Sequence, residues 1–518
     1  MVHISAMSNQ PVTLDQFIPL GGYVIYICLI WEFILLVQLG NMLYMICAAA
    51  TPTILGCGNV TFSGNLSNND ICIFLRSMNA TCEPVVAEQF KSINAEFGYL
   101  CDDARYVKHS ISIELAGAMI GALTFGQISD RFGRRMTLLF ALSGLSLFGA
   151  LSSFSGGLIE FVIIRFVTGI FNGASMSVLN VFTFENLPQR YRLWLNTLLT
   201  WSPNFVLFAL LAYYSEDWRT LARATSGITL PAIVLLFFAY ETPSWLIQHG
   251  HLKAAEDAIV TMNKWARKDV RDHLDIVELR KAIGVICFQS NGCAEKAKNY
   301  YFYHLFTSSK LLKYVVTLSF SLVVTSIVHY GLLFNMEKLS GSLYWNLVYT
   351  GIIRYTFNIV AGALDRTFSC VGRRFIHLGS HVFVSGTIGA VVFINLFDGS
   401  HSMDTVIRIL VLCGVSMTSQ LYIVNVLCAA ELFPTAIRNV ADSQLAIWNR
   451  TGTVIAPQIF FLDSIWEGLP YAFMMFMCLI DSVLFHCFIP ETKDQPLVDS
   501  MPEADLFRRK PKVEADPA

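Results

Sequence analysis

The sequence GQISDRFGRR occupies residues 126–135 and directly follows a long apolar run. A related sequence, LDRTFSCVGRR, occupies residues 364–374 and also follows an apolar run. Both contain Asp-Arg and then a glycine before an arginine pair, and the two glycines are 372 − 133 = 239 residues apart. A polar motif that returns after nearly half of the chain indicates an internal repeat.

Two further motif pairs support the repeat. FENLPQRYR, from residue 184, matches AELFPTAIRN, from residue 430, and YETPSWL, from residue 240, matches IPETKDQP, from residue 489. Their glutamates are separated by 431 − 185 = 246 and 491 − 241 = 250 residues. Three matched features at a nearly constant offset predict two similar halves, an arrangement typical of transporters that rock one half against the other around a central site.

The composition places the chain in a lipid bilayer. Of 518 residues, 54% are hydrophobic and 14% are charged, and the mean hydropathy is +0.53. Such a chain is too apolar to cover itself with a soluble surface. The formal charge of −2 indicates neither a nucleic-acid partner nor a polybasic membrane-surface role.

We predict an all-α membrane protein with twelve transmembrane helices in two pseudo-symmetric six-helix halves, because a span needs roughly 20 apolar residues. The predicted spans are residues 22–50, 110–128, 136–155, 157–183, 192–214, 222–240, 313–334, 343–364, 375–397, 406–430, 440–462 and 468–489. The eleventh is the weakest because it contains polar and charged residues. The first 21 residues do not resemble a cleaved signal peptide.

Lys and Arg residues predict the orientation. They are concentrated between positions 253 and 281, whereas the loops FDGSHSMD and DSIWEG have none. The positive-inside rule therefore places both termini and the central loop in the cytoplasm. The predicted regions are the N-terminus (1–21), the first half (22–240), the linker (241–312), the second half (313–490) and the tail (491–518).

The opposite side receives a large loop, residues 51–108. It contains three glycosylation sequons, at Asn59, Asn65 and Asn79, and four cysteines, Cys57, Cys72, Cys82 and Cys101. Together they predict a glycosylated, oxidising exterior and disulfide bonds whose three possible pairings stay open. We expect the plasma membrane as the location.

The repeated charged motifs predict a gate. Ion pairs among them are expected to latch the inner side while the outer side is open; the alternative is a set of tight turns with positive charge that only fixes orientation. The predicted gate residues are Asp130, Arg131, Arg134, Arg135, Glu185, Arg190 and Glu241 in the first half and Asp365, Arg373, Arg374, Glu431, Arg438 and Glu491 in the second.

The motifs together resemble the major facilitator superfamily, and within it the organic cation and organic anion transporter branch of the solute carriers. The resemblance is carried by GQISDRFGRR, RFVTG, EFGYLCD, AYYSEDWRTL, ETPSWLIQHG, VHYGL, ELFPTAIRN and PET, and it runs from about residue 20 to about 495. The chain departs from the branch in having four loop cysteines instead of the common six, and about four extra residues in DRTFSCVGRR.

Two arginines within spans predict an anionic cargo. Arg450 lies where the resembling anion transporters carry a base and the cation transporters an acid, and Arg354 lies where the family usually has an acid. A guanidinium can bind a carboxylate, sulfate or phosphate at two points. The alternative is that Arg450 is neutralised by Asp442 or Asp481.

Other polar and aromatic residues have open roles. By resemblance, Trp201, His329, Tyr330, Tyr422 and Asn41 line the cargo pocket. Arg165 is structural or part of the proton or gate machinery by the same resemblance, and Glu32 is either a coupling acid or a helix-packing acid. Glu114 and Asp481 are further acids within spans that basic residues could neutralise.

The remaining motifs exclude several functions. GAMIG (117–121) and GIFNG (169–173) predict close helix packing. The sequence contains no P-loop, no Rossmann fingerprint, no HExxH and no Cys/His cluster with metal-ligand spacing, so we predict no enzyme activity, no cofactor and no metal site.

We predict a polyspecific transporter of small organic anions that works by alternating access, as a uniporter or exchanger, with the bilayer and an organic ion as partners and a monomer as the working unit. One alternative is an organic cation or zwitterion carrier in which Glu32, Glu114 or Asp481 holds the ammonium group. Another is a non-transporting sensor or scaffold glycoprotein that uses the outer loop for recognition.

Overall fold

The computed structural model describes residues 17–58, 60–62, 68–77, 84–188, 195, 199–265, 276–292, 302–368, 371–397, 403–434, 437–466 and 468–493. Five residues predicted above to have a role lie outside this set: Asn59, Asn65, Asn79, Cys82 and Arg190. Their glycosylation, disulfide and gate roles stay predictions.

Each predicted span overlaps one of the following twelve helices. The first half has α1 (Gly22–Ala48), α2 (Ala104–Phe132), α3 (Arg134–Ser152), α4 (Leu158–Asn186), α5 (Ser202–Ser215) and α6 (Trp218–Phe238). The second half has α7 (Ser309–Phe334), α8 (Leu343–Thr367), α9 (Arg373–Phe397), α10 (Asp404–Leu432), α11 (Arg438–Ile459) and α12 (Leu469–Phe488).

Within the described part of the chain, ten of these helices are long and apolar enough to cross a membrane. The other two are α5, with 14 described residues, and α11, with 22. Polar side chains in the middle of α11 lower its hydropathy, as the sequence predicted for the eleventh span.

Shorter elements lie in the two large loops. The loop after α1 contains β1 (Thr53–Cys57), β2 (Val60–Thr61) and β3 (Pro84–Ala87) in an antiparallel sheet of order β2-β1-β3. Its helices are Asn68–Ser77, Ile93–Phe97 and the 3-10 turn Cys101–Asp103. The linker helices are Pro243–Gln248, Leu252–Lys264 and Ile276–Gly292, and further 3-10 turns are Phe302–Phe306, Met336–Lys338 and Phe460–Ser464.

Two ends of the helix bundle are distinguished below. The motif face is the end that carries residues 130–135 and 365–374, and the loop face is the opposite end, which carries residues 51–103. One buried core cluster at the loop face includes residues of both halves, such as Met45 and Phe334. Nearer the motif face each half has a cluster of its own, so the hydrophobic contact between the halves is concentrated at the loop face.

Glycines bring α2 and α4 into backbone contact. A Cβ atom at Gly121 would lie 1.9 Å from the carbonyl oxygen of Ile170, and one at Gly173 would lie 1.9 Å from that of Ala118. Carbon and oxygen atoms need more than 3 Å, so only glycine permits this crossing. The predicted close packing of the two glycine motifs is confirmed.

Candidate functional site

Arg450 lies near the midpoint of α11 and faces the first half. Its Nη2 lies 3.3 Å from Sδ of Met176 on α4. It lines a pocket with Phe334 and with residues of α1, α2 and α4, among them Met42, Glu114 and Asn172. The cavity is small, with a volume of about 10 Å³. It has room for about one water molecule. An organic ion therefore fits only after the halves separate.

Arg354 lies near the midpoint of α8 and contacts both halves. Its Nη1 is 3.4 Å from Nε2 of His329, and its guanidinium carbon is 6.0 Å from the ring centre of Phe205 on α5. His329 Nδ1 is 2.8 Å from Oγ1 of Thr418. The Thr418 hydroxyl donates its proton to the carbonyl of Val415 at 2.6 Å, so it acts as an acceptor toward His329. His329 therefore carries its proton on Nδ1, and Nε2 accepts from Arg354.

Tyr330 and Tyr422 connect the two arginines. The ring of His329 is 4.8 Å from that of Tyr330 and 5.7 Å from that of Tyr422. Both tyrosine hydroxyls lie within electrostatic range of Arg354 and of Arg450. The structure thus brings five of the predicted pocket residues to one place at the interface between the halves.

The other two predicted pocket residues lie elsewhere. Asn41 is buried in α1, where its side chain donates to the carbonyl of Val37 and its own carbonyl accepts from Nη2 of Arg165 at 3.0 Å. Trp201 precedes α5 and packs, partly buried, between the loop-face core and the core of the first half.

Arg165 is paired, in contrast to Arg450 and Arg354. Its Nε and Nη2 donate to the two carboxylate oxygens of Glu114 at 3.1 and 2.5 Å, and its guanidinium lies 4.4 Å from the ring of Tyr44. The side chains of Arg165 and Glu114 are 1% and 6% exposed. This is a two-point buried ion pair, which accounts for both charges without a ligand.

The two carboxylates considered above as partners for Arg450 have other neighbours. Asp442 lies near Arg438, one turn before it on α11. Asp481 on α12 is fully buried and lies 2.7 Å from Nε2 of His381. Among the residues that the structure describes, neither Arg450 nor Arg354 forms an ion pair with a carboxylate.

Glu32 on α1 has one satisfied and one unsatisfied oxygen. Its Oε1 accepts from the amide of Asn204 on α5 at 3.0 Å, while Oε2 has no hydrogen-bond partner in the described structure. Asn204 precedes Phe205, the residue that Arg354 contacts, so Glu32 lies in the same layer of the bundle as Arg354.

At the motif face, the gate residues of the first half form one cluster. Arg134 is 2.7 Å from Asp130 and 3.4 Å from Glu185. Glu241 accepts from the backbone N–H groups of Arg134 and Arg135 at 3.0 Å each. Gly133 has φ of +100°, and a Cβ there would lie 2.5 Å from the Glu241 carboxylate. The turn therefore requires glycine.

The second half repeats this cluster. Arg373 is 2.9 Å from Asp365 and 3.4 Å from Glu431, and Glu491 accepts from the backbone N–H groups of Arg373 and Arg374 at 2.8 and 3.1 Å. The longer loop before Gly372 thus leaves the same ion pairs in place.

The longer loop has an additional contact that has no counterpart among the described residues of the first half. Nζ of Lys493 donates to the carbonyls of Asp365, Phe368 and Val371 at 2.6, 3.0 and 2.9 Å. The lysine therefore holds the loop by its main chain.

Both clusters join helices of a single half. A rigid rocking of one half against the other therefore does not by itself break their ion pairs, and the predicted role of these residues in latching the inner gate stays a prediction. Two gate residues lie beside the clusters: Arg131 is exposed near Phe132, and Arg438 donates to the carbonyl of Phe433 at 3.4 Å.

The two matched glutamates differ in their acid–base behaviour. Burial raises the pKa of Glu241, against the opposing effect of hydrogen bonds from three backbone N–H groups. Glu491 is less buried and accepts from four backbone N–H groups, including that of Lys493; these outweigh its burial and lower its pKa. The local charge of the two clusters therefore responds differently to acid.

Contacts between the halves at the loop face were not found from the sequence. Nζ of Lys108 on α2 lies 2.8 Å from Oε1 of Glu337, just after α7, and the two side chains are 13% and 7% exposed. Oε2 of Glu337 accepts from the backbone N–H of Thr51 at 3.1 Å. Gln89 donates to the carbonyl of Gly341 and accepts from the N–H of Leu343, at 3.1 and 3.0 Å.

The outer loop is also attached to the first half. Arg219, in the DWRTL motif, binds Glu96 at 2.7 Å and the carbonyl of Ser153 at 2.6 Å. Hydrogen bonds from Arg219 hold the pKa of Glu96 below its usual value. A disulfide joins Cys72 to Cys101, and Cys57 is also disulfide-bonded.

A cluster of buried titratable residues was also missed. His377 and His381 are four residues apart on α9, and Asp481 reaches them from α12. The prediction of no metal-ligand spacing overlooked this pair of histidines, because their third partner lies 100 residues further along the chain.

The fold has twelve helices in two matched halves, with a central pocket at the interface of the halves and repeated charge clusters at one face. This arrangement is that of a transporter of the major facilitator type. A model of the family "Sugar (and other) transporter" matches residues 77–502. The chain belongs to that family.

Relatives confirm the resemblance to the organic ion branch. The chain is 28% identical over 462 residues to the Drosophila melanogaster "Organic cation transporter-like protein", with 85% of this chain and 78% of that protein covered. It is 28% identical over 416 residues to the Xenopus laevis "Solute carrier family 22 member 16", with 80% and 71% covered.

Solved structures share the fold. The inward open conformation of the xylose transporter XylE from E. coli has a TM-score of 0.64 and 17% identity, with 91% of this chain and 98% of that chain covered. A crystal structure of a D-xylose-proton symporter has a TM-score of 0.59 and 16% identity, with 92% and 100% covered.

Proposed function

We propose that this protein carries small organic anions across the plasma membrane by alternating access, as a uniporter or exchanger, and works as a monomer with both termini in the cytoplasm. In this orientation the motif face is cytoplasmic and the loop face is outside. The glycosylation of the outer loop belongs to the same proposal.

The observation that carries the anion assignment is the contrast between Arg165 and the pair Arg450 and Arg354. Arg165 binds the Glu114 carboxylate at two points, whereas neither Arg450 nor Arg354 forms an ion pair among the described residues, and the one carboxylate that lines the pocket of Arg450, that of Glu114, is engaged by Arg165. Two guanidinium groups without an ion-pair partner among the described residues favour a negatively charged cargo at the interface between the halves. An unpaired charge in a membrane interior is costly, and a carboxylate or sulfonate cargo would supply the missing negative charge.

Neighbouring rings suit a cargo with an aromatic body. Phe205, Tyr330, Tyr422 and Phe334 lie around the two arginines. Aromatic side chains bind flat apolar groups with little demand for one shape. We therefore expect several aryl anions to compete for the same site.

Transport of cations or zwitterions is the second candidate, and Glu32 favours it. One of its oxygens has no partner among the described residues, and several relatives are named organic cation transporters. In this case Glu32 would hold an ammonium group and an arginine would hold a carboxylate of the same molecule.

The contacts between the halves support an alternating cycle. The loop face is held shut by Lys108, Glu337 and Gln89, and separation of these contacts would open the path from Arg450 to the outside. The charge clusters at the motif face would keep each half rigid while it moves, since their ion pairs are internal to one half.

Uptake of two labelled probes tests the assignment. Cells expressing the chain receive benzenesulfonate or tetraethylammonium, whose charges do not change with pH. We expect benzenesulfonate uptake, and an increase in KM of about tenfold to about 150-fold for Arg450→Ala, since a hydrogen bond to a charged group contributes about 1.5–3 kcal/mol.

Two variants are matched controls. Arg450→Lys keeps the charge and removes the two-point geometry, so its KM should lie between wild type and Arg450→Ala. Arg105→Gln removes an exposed arginine of the loop face and should leave uptake unchanged. Uptake of tetraethylammonium alone would reject the anion assignment, and unchanged KM in Arg450→Ala would reject the role of Arg450.

A further inference from the structure

Three buried side chains of the second half bring metal-ligating atoms together. His377 and His381 lie four residues apart on one face of α9, and Asp481 reaches them from α12. One ligand atom from each residue lies within 4.8 Å of the others. The side chains are 1%, 0% and 0% exposed. Two histidines four residues apart on a helix are a known zinc-binding arrangement when a third ligand completes the set.

Several atoms of this cluster lack the hydrogen bonds that burial requires. Nε2 of His381 lies 2.7 Å from Oδ2 of Asp481, yet the two groups are not aligned as donor and acceptor, and Nε2 has no hydrogen-bond partner among the described residues. Oδ1 of Asp481 has none either. Buried polar atoms are satisfied in nearly all proteins. A cation between the two side chains would satisfy both of them.

The distances within the cluster suit a tetrahedral zinc ion. Zinc bonds to nitrogen and to carboxylate oxygen are about 2.0–2.2 Å long, so neighbouring ligand atoms lie about 3.4 Å apart. Oδ2 of Asp481 lies 3.7 Å from Nε2 of His377 and 2.7 Å from Nε2 of His381, on either side of that value. Oγ of Ser321 on α7 lies 2.8 Å from the same oxygen and 3.1 Å from Nε2 of His377. A fourth oxygen therefore lies beside the three ligands.

The chemistry of the donors favours zinc. Imidazole nitrogen binds transition metals, whereas Ca²⁺ and Mg²⁺ prefer sites built of oxygen. The Asp481 carboxylate also needs a positive partner, because an ionised carboxylate in a membrane interior is costly. Arg373, one turn before His377 on α9, is engaged by Asp365 and Glu431. A bound cation would supply positive charge directly at the Asp481 carboxylate.

Comparison of the two halves shows that helix packing does not require these histidines. The offset that relates Gly372 to Gly133 relates His377 and His381 to positions 377 − 239 = 138 and 381 − 239 = 142. These are Leu138 and Leu142 on α3, both fully buried in the core of the first half. The second half thus has ligand atoms where the first half has apolar side chains, which indicates a role beyond filling the core.

We propose that His377, His381 and Asp481 bind one zinc ion that joins α9 to α12, with the Ser321 hydroxyl of α7 beside it. All of these residues belong to the second half, so the ion stabilises that half as a rigid unit and stays bound while the halves move. The ligands are buried, so the ion enters while the half is folding. The proposal goes beyond the transport function and does not depend on the cargo.

The metal content of the full chain tests the proposal. The chain is expressed in zinc-supplemented cells and purified in detergent through a tag without histidine, and we expect one zinc ion per chain by mass spectrometry of the elements. His381→Gln and Asp481→Asn each remove one ligand with little change in size and should reduce the bound zinc at least tenfold. The matched control is His486→Gln, which removes an exposed histidine of α12 and should keep one zinc ion per chain.

Two measurements on the wild type remain decisive where a variant fails to fold. X-ray absorption at the zinc edge should show nitrogen and oxygen ligands at about 2.0–2.2 Å and no sulfur at about 2.3 Å. A zinc chelator present during thermal unfolding should lower the melting temperature, because the ion binds the folded chain and leaves the unfolded one. In folded Asp481→Asn the chelator should have no effect.

Each contrary result would overturn the proposal. Wild type without zinc would mean that protons and hydrogen bonds alone satisfy the cluster. Zinc that is retained in both His381→Gln and Asp481→Asn, or that has sulfur ligands, would lie at another site. Equal effects of the chelator on wild type and Asp481→Asn would reject the stabilising role. Absence of benzenesulfonate uptake would reject the proposed function and leave the zinc site standing.

Discussion

The ion pair between Lys108 and Glu337 makes a quantitative prediction about alternating access. Glu337→Gln keeps the size of the side chain and an oxygen for the N–H of Thr51, but it removes the negative charge that lies 2.8 Å from the lysine. With the loop face open, both side chains are expected to be in water, so the substitution acts mainly on the closed state.

The expected magnitude follows from the burial of the pair. The two side chains are 13% and 7% exposed, so the loss is that of a close and largely buried charge pair, for which we take about 1.5–3 kcal/mol, the lower part of the range for close charge pairs across an interface. At 1.4 kcal/mol per factor of ten, the population of the state with an open loop face should rise about tenfold to about 150-fold.

Cys47 provides a native reporter for this shift. It is 0% exposed at the end of α1 and lies within electrostatic range of Glu337. When opening is fast, the rate of thiol labelling is proportional to the open fraction. Labelling of Cys47 by a membrane-impermeant maleimide, followed by peptide mass spectrometry, should accelerate by the same factor.

Asp463→Asn is the matched control. It removes one charge from the pair of Lys338 and Asp463, 2.6 Å apart at the loop face, but both residues belong to the second half. Cys47 should label at the wild-type rate in this variant. An acceleration below threefold in Glu337→Gln, or an equal acceleration in Asp463→Asn, would refute the assignment of the ion pair as a contact that holds the halves together.

Three further predictions concern stability, measured as the melting temperature in detergent. Gly121→Ala should destabilise by about 1–3 kcal/mol through overpacking, whereas Gly227→Ala, where a Cβ would meet nothing within 4 Å, should stabilise by about 0.5–1 kcal/mol. Glu114→Gln should destabilise by about 3–5 kcal/mol because it leaves a buried charge unpaired. At pH 7, Glu491→Gln should destabilise more than Glu241→Gln.

The sign of the last prediction follows from the two pKa shifts. The pKa of Glu491 is lowered from 4.5, so its contribution is present above pH 4.5 and is lost as the pH falls through the lowered value. The pKa of Glu241 is raised from 4.5, so its contribution is present below pH 4.5 and is lost as the pH rises through the raised value. A larger loss for Glu241→Gln at pH 7 would contradict this reasoning.

Two results would contradict the predictions for Gly121→Ala and Glu114→Gln. Equal effects of Gly121→Ala and Gly227→Ala would show that the α2–α4 crossing relaxes without cost. A melting temperature of Glu114→Gln equal to that of wild type would show that Arg165 finds another partner or is hydrated.

The sequence predicts the fold because local signals define it. Apolar runs of span length are short-range features, and the repeated motifs set the offset between the halves. Glycines at 117–121 and 169–173 predict their own close packing, since few other roles suit small residues four apart in a span.

Contacts between distant residues could not be predicted in the same way. Lys108 and Glu337 are ordinary charged residues near the ends of spans, and nothing local relates them. Asp481 was considered as a partner for Arg450 because both are charged and within spans, but the rotation of α12 turns it toward α9 and its two histidines. Pairing of Arg165 with Glu114 likewise depends on the crossing of α2 and α4.

The outer loop is attached to both halves by its residues Gln89 and Glu96, the first through main-chain groups at Gly341 and Leu343 and the second through Arg219. An antibody that recognises residues 84–97 in this docked position would therefore hold the protein closed without entering the cargo pocket. Because cargo fits only when the halves separate, cargo and antibody would bind mutually exclusive states, so a high concentration of cargo would relieve the inhibition although the two do not share a site.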